Sequence, residues 1–189
     1  MRPLEIVLRR QAGVVSREQA RHAGLTATQI DRLVARRRWT PLQPRVYLVA
    51  PHEPTDEARL RAAVLRAGDG AVPRGLAALW WHGLLPHAPH TITLTAPHRC
   101  PGSWPGVHVH RRTLPAADLV SLRGLTVPVR PLALLDAAVE AGPDGPALLR
   151  DLRARPAELH AVASRALGPV RAERLLADVS CTPPGHRAE

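Results

Sequence analysis

Lysine and phenylalanine do not occur anywhere in this 189-residue chain, aromatic side chains supply only 3% of it, and there are two cysteines. With so few rings, a core must be assembled from Leu, Val and Ala, and 20 prolines promise many chain breaks. Cys100 and Cys181 are far apart and form no CxxC pair, which excludes a disulfide or zinc framework and fits a reducing cytoplasm. The most apolar stretch, GLAALWWHGLLP, is well short of the roughly 18 residues that a membrane helix requires. MRPLEIVLRRQ carries Glu5 inside an apolar run too short for a signal peptide. The expectation is a cytoplasmic protein without membrane segments.

Positive charge is abundant: the net charge is +10, and all 26 basic residues are arginine. Arginine without lysine, beside abundant Ala, Pro and Gly, reads as the imprint of a GC-rich genome, so the total says little. Its location says more. Residues 1–50 hold 10 Arg against Glu5, Glu18 and Asp31, whereas residues 51–189 hold 16 Arg against 13 acids. A sign excess packed into the first quarter of the chain points to a polyanionic partner.

Leu4, Val7 and Leu8 recur at helical spacing, so Pro3 to Ala12 reads as a helix with proline in its opening turn and Gly13 as its stop. Ser16-Arg17-Glu18-Gln19 and Thr26-Ala27-Thr28-Gln29 are two capping boxes ten residues apart, opening helices from Ser16 to Ala23 and from Thr26 onward. Trp39 to Leu42 and Arg45 to Val49 read as two strands around Gln43-Pro44, with Pro41 confining the first to an edge. Ala50 to Glu57 reads as a linker. Beyond it the pattern predicts a helix capped by Thr55, a helix over Pro73 to Gly83, strands at Thr91 to Thr95, Val107 to Arg112 and Thr126 to Arg130, and a helix over Pro131 to Ala141. Short helices broken by Gly142, Pro156 and Gly168 follow, then a disordered end, CTPPGHRAE.

A helix-turn-helix needs a small residue where its helices cross, a residue tolerant of positive φ in the turn, and an apolar anchor beneath the second helix. Ala20, Gly24 and Ile30 supply these at spacings of four and six. With Ile30, Leu33 and Val34 inward, Thr28, Asp31, Arg32 and Ala35 face outward, and Gln29 lies near the boundary. Arg32 suits a guanine edge, and Thr28 or Gln29 a base or phosphate, although Gln29 is expected to serve as a cap in the free protein. Arg36, Arg37 and Arg38 at the helix end and Arg45 at the hairpin turn are assigned to phosphates.

GVVSREQARHAGLTATQIDRLVARRRWTPLQPRVYLVA, AVPRGLAALWWHGL, GVHVHRR and GLTVPVRPLALLDAA together resemble the AbiEi-type antitoxins of type IV toxin-antitoxin systems in actinobacteria. The resemblance covers roughly residues 4–178. Its most specific parts are the AGLT turn, the stretch from Trp39 to Val46-Tyr47, and the LLDAA helix. It implies a winged helix-turn-helix that binds repeats in its own promoter, joined to an α/β domain acting against a nucleotidyltransferase-like toxin. Two departures stand out. A turn that often reads Pro-Gly-Val-Tyr in such proteins is Pro44-Arg45-Val46-Tyr47 here. The nuclease-like C-terminal domain of many relatives uses a catalytic lysine, so nuclease activity is excluded for this chain.

The expected architecture is therefore α+β: a winged helix-turn-helix over residues 1–50, a small α/β domain over 55–141 and a helical tail over 142–189. The expected function is sequence-specific binding of double-stranded DNA by an antitoxin-like autoregulator, with no catalysis, cofactor or metal. A protein-docking adaptor using the winged helix and Trp80-Trp81 is the alternative. A metal-dependent enzyme would need His82, His87, His90, His98, Cys100, His108 and His110, whose spacing completes no regular ligand set. Asp136 and Glu140, one helical turn apart, read as a polar face. Gly68-Asp69-Gly70 follows a helix rather than a strand and is a poor phosphate loop. Gly102-Ser103-Trp104-Pro105-Gly106 is not a hydrolase elbow.

Overall fold

A computed structural model of the chain describes residues 3–97, 102–167 and 176–177. His98, Cys100, the break at Gly168 and the end CTPPGHRAE lie outside the described residues. The fold is mixed α+β with small sheets, and it divides into two compact units interleaved along the chain. Residues 1–73, 90–113 and 121–126 form the first, and residues 74–89, 114–120 and 127–189 the second.

The first unit begins with α1 (Pro3–Arg10), β1 (Val14–Ser16), α2 (Arg17–His22), α3 (Ala27–Ala35), β2 (Trp39–Gln43) and β3 (Val46–Val49). Both capping boxes form in full: the side chain of Ser16 accepts from the Gln19 amide and that of Thr26 from the Gln29 amide, while each glutamine accepts in return from its cap's own N–H. Each is worth about 1 kcal/mol, enough to set where such short helices start. The sheet runs β1-β3-β2, antiparallel throughout, with β2 on an edge as Pro41 requires. Strand β1 is absent from the sequence expectation because three residues leave no periodicity to read. It is defined by its pairing, Val14 opposite Leu48 and Ser16 opposite Val46.

Val46, Tyr47 and Leu48 are all buried, so β3 is covered on both faces. On one face Val15 and Tyr47 pack with Ala20, Ile30 and Trp39, and the half-buried Leu4, Val7 and Leu8 of α1 close this cluster. On the other, Val14, Val46 and Leu48 pack on Ala58 and Ala62 of α4 (Asp56–Ala67). The units accordingly do not divide at residue 50, because the sheet's second apolar face needs α4. The unit is completed by a small sheet, β4-β5-β6 (Val72–Pro73, Ile92–Ala96, Val107–Arg111), in which β5 and β6 are parallel. Pro73, expected to open a helix, is in a strand instead. A hairpin, β7 (Leu119–Leu122) and β8 (Leu125–Pro128), follows in the chain, and its turn belongs to this unit.

The second unit is built on α6 (Arg130–Ala141), whose Leu132, Ala133, Leu134, Leu135, Ala137 and Ala138 are all buried. Around it pack α5 (Gly75–Trp81), α7 (Gly145–Asp151) and α8 (Pro156–Leu167), through residues including Leu79, Leu149 and Leu159. The helices beyond residue 142 are thus not a separate tail but walls of the α6 core. A helix apolar all round is a buried helix, and α6 still carries Asp136, fully buried. Its Oδ1 lies 2.9 Å from the Arg74 guanidinium, which also stands 3.6 Å from Glu140. The two acids are therefore not the solvated polar face expected of them: Asp136 is buried, and Arg74 pairs with both carboxylates. Glu140 further accepts from the Leu76 amide at 3.2 Å. Gly75 suits this packing: its φ is +50°, and a Cβ there would displace the Glu140 carboxylate. Trp81 is buried while Trp80 is half-buried.

Removing one partner of a buried ion pair leaves the other charge stranded. Arg74→Ala is expected to lower unfolding free energy by about 3–5 kcal/mol, and Arg74→Met with Asp136→Leu by markedly less. Urea denaturation checks both.

Candidate nucleic-acid interface

Helix α2 ends at a turn built around Gly24, whose φ is +97°. Leu25 N–H donates to the Ala20 carbonyl and Gly24 N–H to that of Arg21, the paired bonds that close a helix on a left-handed residue. Ala20 and Ile30 are fully buried on either side. Ala20 and Ile30 are thus buried in α2 and α3, and Gly24 lies in the turn between these helices.

Helix α3 ends in the same manner, but with arginine in the glycine position. Arg38 N–H donates to Leu33 and Arg37 N–H to Val34, and Arg37 has φ +54°. The β2–β3 turn repeats the choice: Arg45, after Pro44, has φ +63°. A left-handed non-glycine residue costs about 1–2 kcal/mol in backbone energy, yet both places carry a long cationic side chain.

Thr28, Gln29, Arg32, Arg36, Arg37, Arg38 and Arg45 are all exposed. Among the described residues, none of these five arginines forms an ion pair with a carboxylate, whereas Arg17, Arg61 and Arg74 do. Gln29 is engaged as the cap, its Oε1 accepting from Thr26 N–H at 2.7 Å. Arg36 to Arg38 and Arg45 stand at opposite ends of β2, a separation of about 17 Å for five extended residues.

Asp31 is the acid of α3, and spacing did not disclose its partner, Arg17. Two parallel bonds of 2.7 and 3.1 Å join their head groups, and the same guanidinium lies 3.3 Å from the Tyr47 hydroxyl. The Arg17 backbone N–H donates to the Arg45 carbonyl at 2.7 Å. One residue thereby ties α2 to α3, to β3 and to the hairpin turn. Hydrogen bonding from Arg17, reinforced by its charge and opposed by desolvation, holds the Asp31 carboxyl below its ordinary 3.8, and the guanidinium in turn is pushed up. Nothing local links positions 14 residues apart, so no feature of the sequence marked Arg17.

The described histidines do not assemble into a ligand set. His108 and His110 are exposed along β6, and His82 Nε2 lies 2.8 Å from the Pro128 carbonyl. Among the described residues no group of three His, Cys, Asp or Glu is placed to hold a metal ion. No described helix is long and apolar enough to cross a membrane.

No protein-family model and no curated protein sequence matches the chain. Among solved structures it is similar to the crystal structure of the RV2827C protein from Mycobacterium tuberculosis. The two are 21% identical over 95% of this chain and 76% of that one, with a TM-score of 0.58, a likeness of fold.

A depressed carboxylate pKa stabilises the fold above the unfolded value and loses that effect as pH falls through the folded one. The Asp31 carboxyl is expected to titrate below 3.8 by NMR and to return to the ordinary range in Arg17→Leu. The stability advantage of the native chain over that variant should fade as pH drops below about 4.

Proposed function

We propose that residues 1–50 form a winged helix-turn-helix that binds double-stranded DNA, with α3 as the helix entering the major groove and the β2–β3 hairpin as the wing. The element order α-β-α-α-β-β and the β1-β3-β2 sheet support this reading. The observation that carries it is the set of exposed guanidinium groups at Arg32, Arg36, Arg37, Arg38 and Arg45, unpaired among the described residues and spread over α3 and the turn. Arg32, with Thr28 beside it, reads base edges, and Gln29 is kept as cap. Arg36, Arg37, Arg38 and Arg45 take phosphates. Their span of about 17 Å exceeds the roughly 12 Å width of a major groove, so both flanking strands are within reach.

In this reading the protein is an antitoxin-like autoregulator of a type IV toxin-antitoxin system, without catalysis or cofactor, whose operon partner is a nucleotidyltransferase-like toxin. That part rests on the resemblance of the sequence motifs. A docking surface at Trp80-Trp81 is narrower than the dipeptide suggests, because Trp81 is 1% exposed and only Trp80 reaches the surface.

Duplex DNA from upstream of the gene is expected to bind with steep salt dependence, weakening roughly 150-fold between 50 and 200 mM salt for these four phosphate contacts. Arg32→Ala with Arg36→Ala should abolish that binding. Fluorescence anisotropy checks both, and affinity indifferent to salt or to the double variant defeats the reading.

Arg37→Gly and Arg45→Gly separate stability from function. Each removes left-handed strain and is expected to stabilise the fold by on the order of 0.5–1 kcal/mol. Each should also lower the log–log salt slope of DNA binding by about 0.9. Thermal unfolding and a salt titration measure the two effects on the same protein.

A further inference from the structure

Asp31 is the one acidic residue within α3, immediately before Arg32, and its side chain is 62% exposed. A free carboxylate there would put a full negative charge on the face proposed to meet phosphates. The Arg17 guanidinium, 22% exposed, grips it with two nitrogens, and one of these also reaches the hydroxyl of Tyr47. Tyr47 is buried beside Trp39, their rings 5.5 Å apart, so the grip is rooted in the core. The planar fork of arginine matches a carboxylate in a way that the point charge of lysine does not. Its planar head group is thus committed to neighbours within the chain.

We propose that Arg17 is a charge-masking residue for the interface: it holds the Asp31 carboxylate closed against α2, without touching DNA itself. The inference rests on the DNA-binding reading and deepens it, because it names what keeps the α3 face cationic. The arrangement also accounts for an acid surviving in the middle of a basic helix. Once paired, Asp31 adds no net charge to that face.

The test compares the full-length chain, Arg17→Leu, Asp31→Asn and the double variant on one upstream duplex across 50–200 mM salt, with circular dichroism confirming the folded state. Arg17→Leu is expected to weaken binding about 10-fold by unmasking the carboxylate. Asp31→Asn should stay within about 2-fold of the native chain, and the double variant should recover to within about 3-fold, since no charge is left to mask. Arg17→Lys, which keeps the charge and the fold but loses the two-pronged grip, should fall between, with an unchanged salt slope. A salt slope lowered by about 0.9 in Arg17→Leu and not restored by Asp31→Asn would make Arg17 a phosphate ligand and overturn the proposal. Native-like affinity of Arg17→Leu overturns it too, while leaving the DNA-binding reading intact. Absence of salt-dependent binding by the native chain removes both.

Discussion

The first unit depends on one constraint: β3 is apolar on both sides and must be covered twice. Val46 and Leu48 point to α4 and Tyr47 to the α2–α3 pair. A strand of four residues cannot leave either row in water without forfeiting a large share of the unit's small core. From this follow the place of β1 beside β3, the anchoring of Ile30 beneath α3, and the inclusion of α4 in the same body. The exposed arginines are then displayed on helices and a turn whose own positions are fixed by burial.

Arginine serves two opposite purposes in this chain. Arg61 and Arg74 are buried and answered: Arg61 bonds Glu57 and the Arg123 carbonyl, and Arg74 neutralises Asp136 within the α6 core. Those pairs act on folding, where desolvation makes a missing partner costly. Arg32, Arg36, Arg37, Arg38 and Arg45 are exposed instead, and two of them hold left-handed backbone that glycine would adopt without strain. Arg123 and Arg153, outside the candidate interface, hold the same left-handed backbone, so that conformation alone does not set Arg37 and Arg45 apart. Base composition sets how much arginine is present and not which of it, among the described residues, meets a carboxylate.

The parts legible beforehand were those decided within a few residues. Both capping boxes, the cap at Thr55 and the Gly24 turn depend on bonds spanning three to five positions, the inward Ile30 on helical periodicity, and the edge position of Pro41 on its missing N–H, so local residue types suffice. The edges of elements shifted where a neighbour intervened: Pro73 joined β4 through its pairing with Leu94, and Arg45 left the strand for the turn. Strands β1, β4 and β7 escaped notice because two to four residues have no period, and only a partner makes them strands. The candidate interface was legible as a list of residues, each of them found exposed. Its organisation was not, since Arg17 meets Asp31 across 14 positions and Tyr47 across 30.

Residue order alone therefore settled where short helices begin, which of their faces turn inward and where positive charge concentrates, because caps, helical periodicity and composition act locally. Tertiary structure decided that α4 belongs with the first sheet, that the helices after residue 142 wall the α6 core, and which arginines are answered by acids. These are questions of which surfaces meet. Burial and ion pairing depend on distance in space, and that distance exists only once the chain has folded.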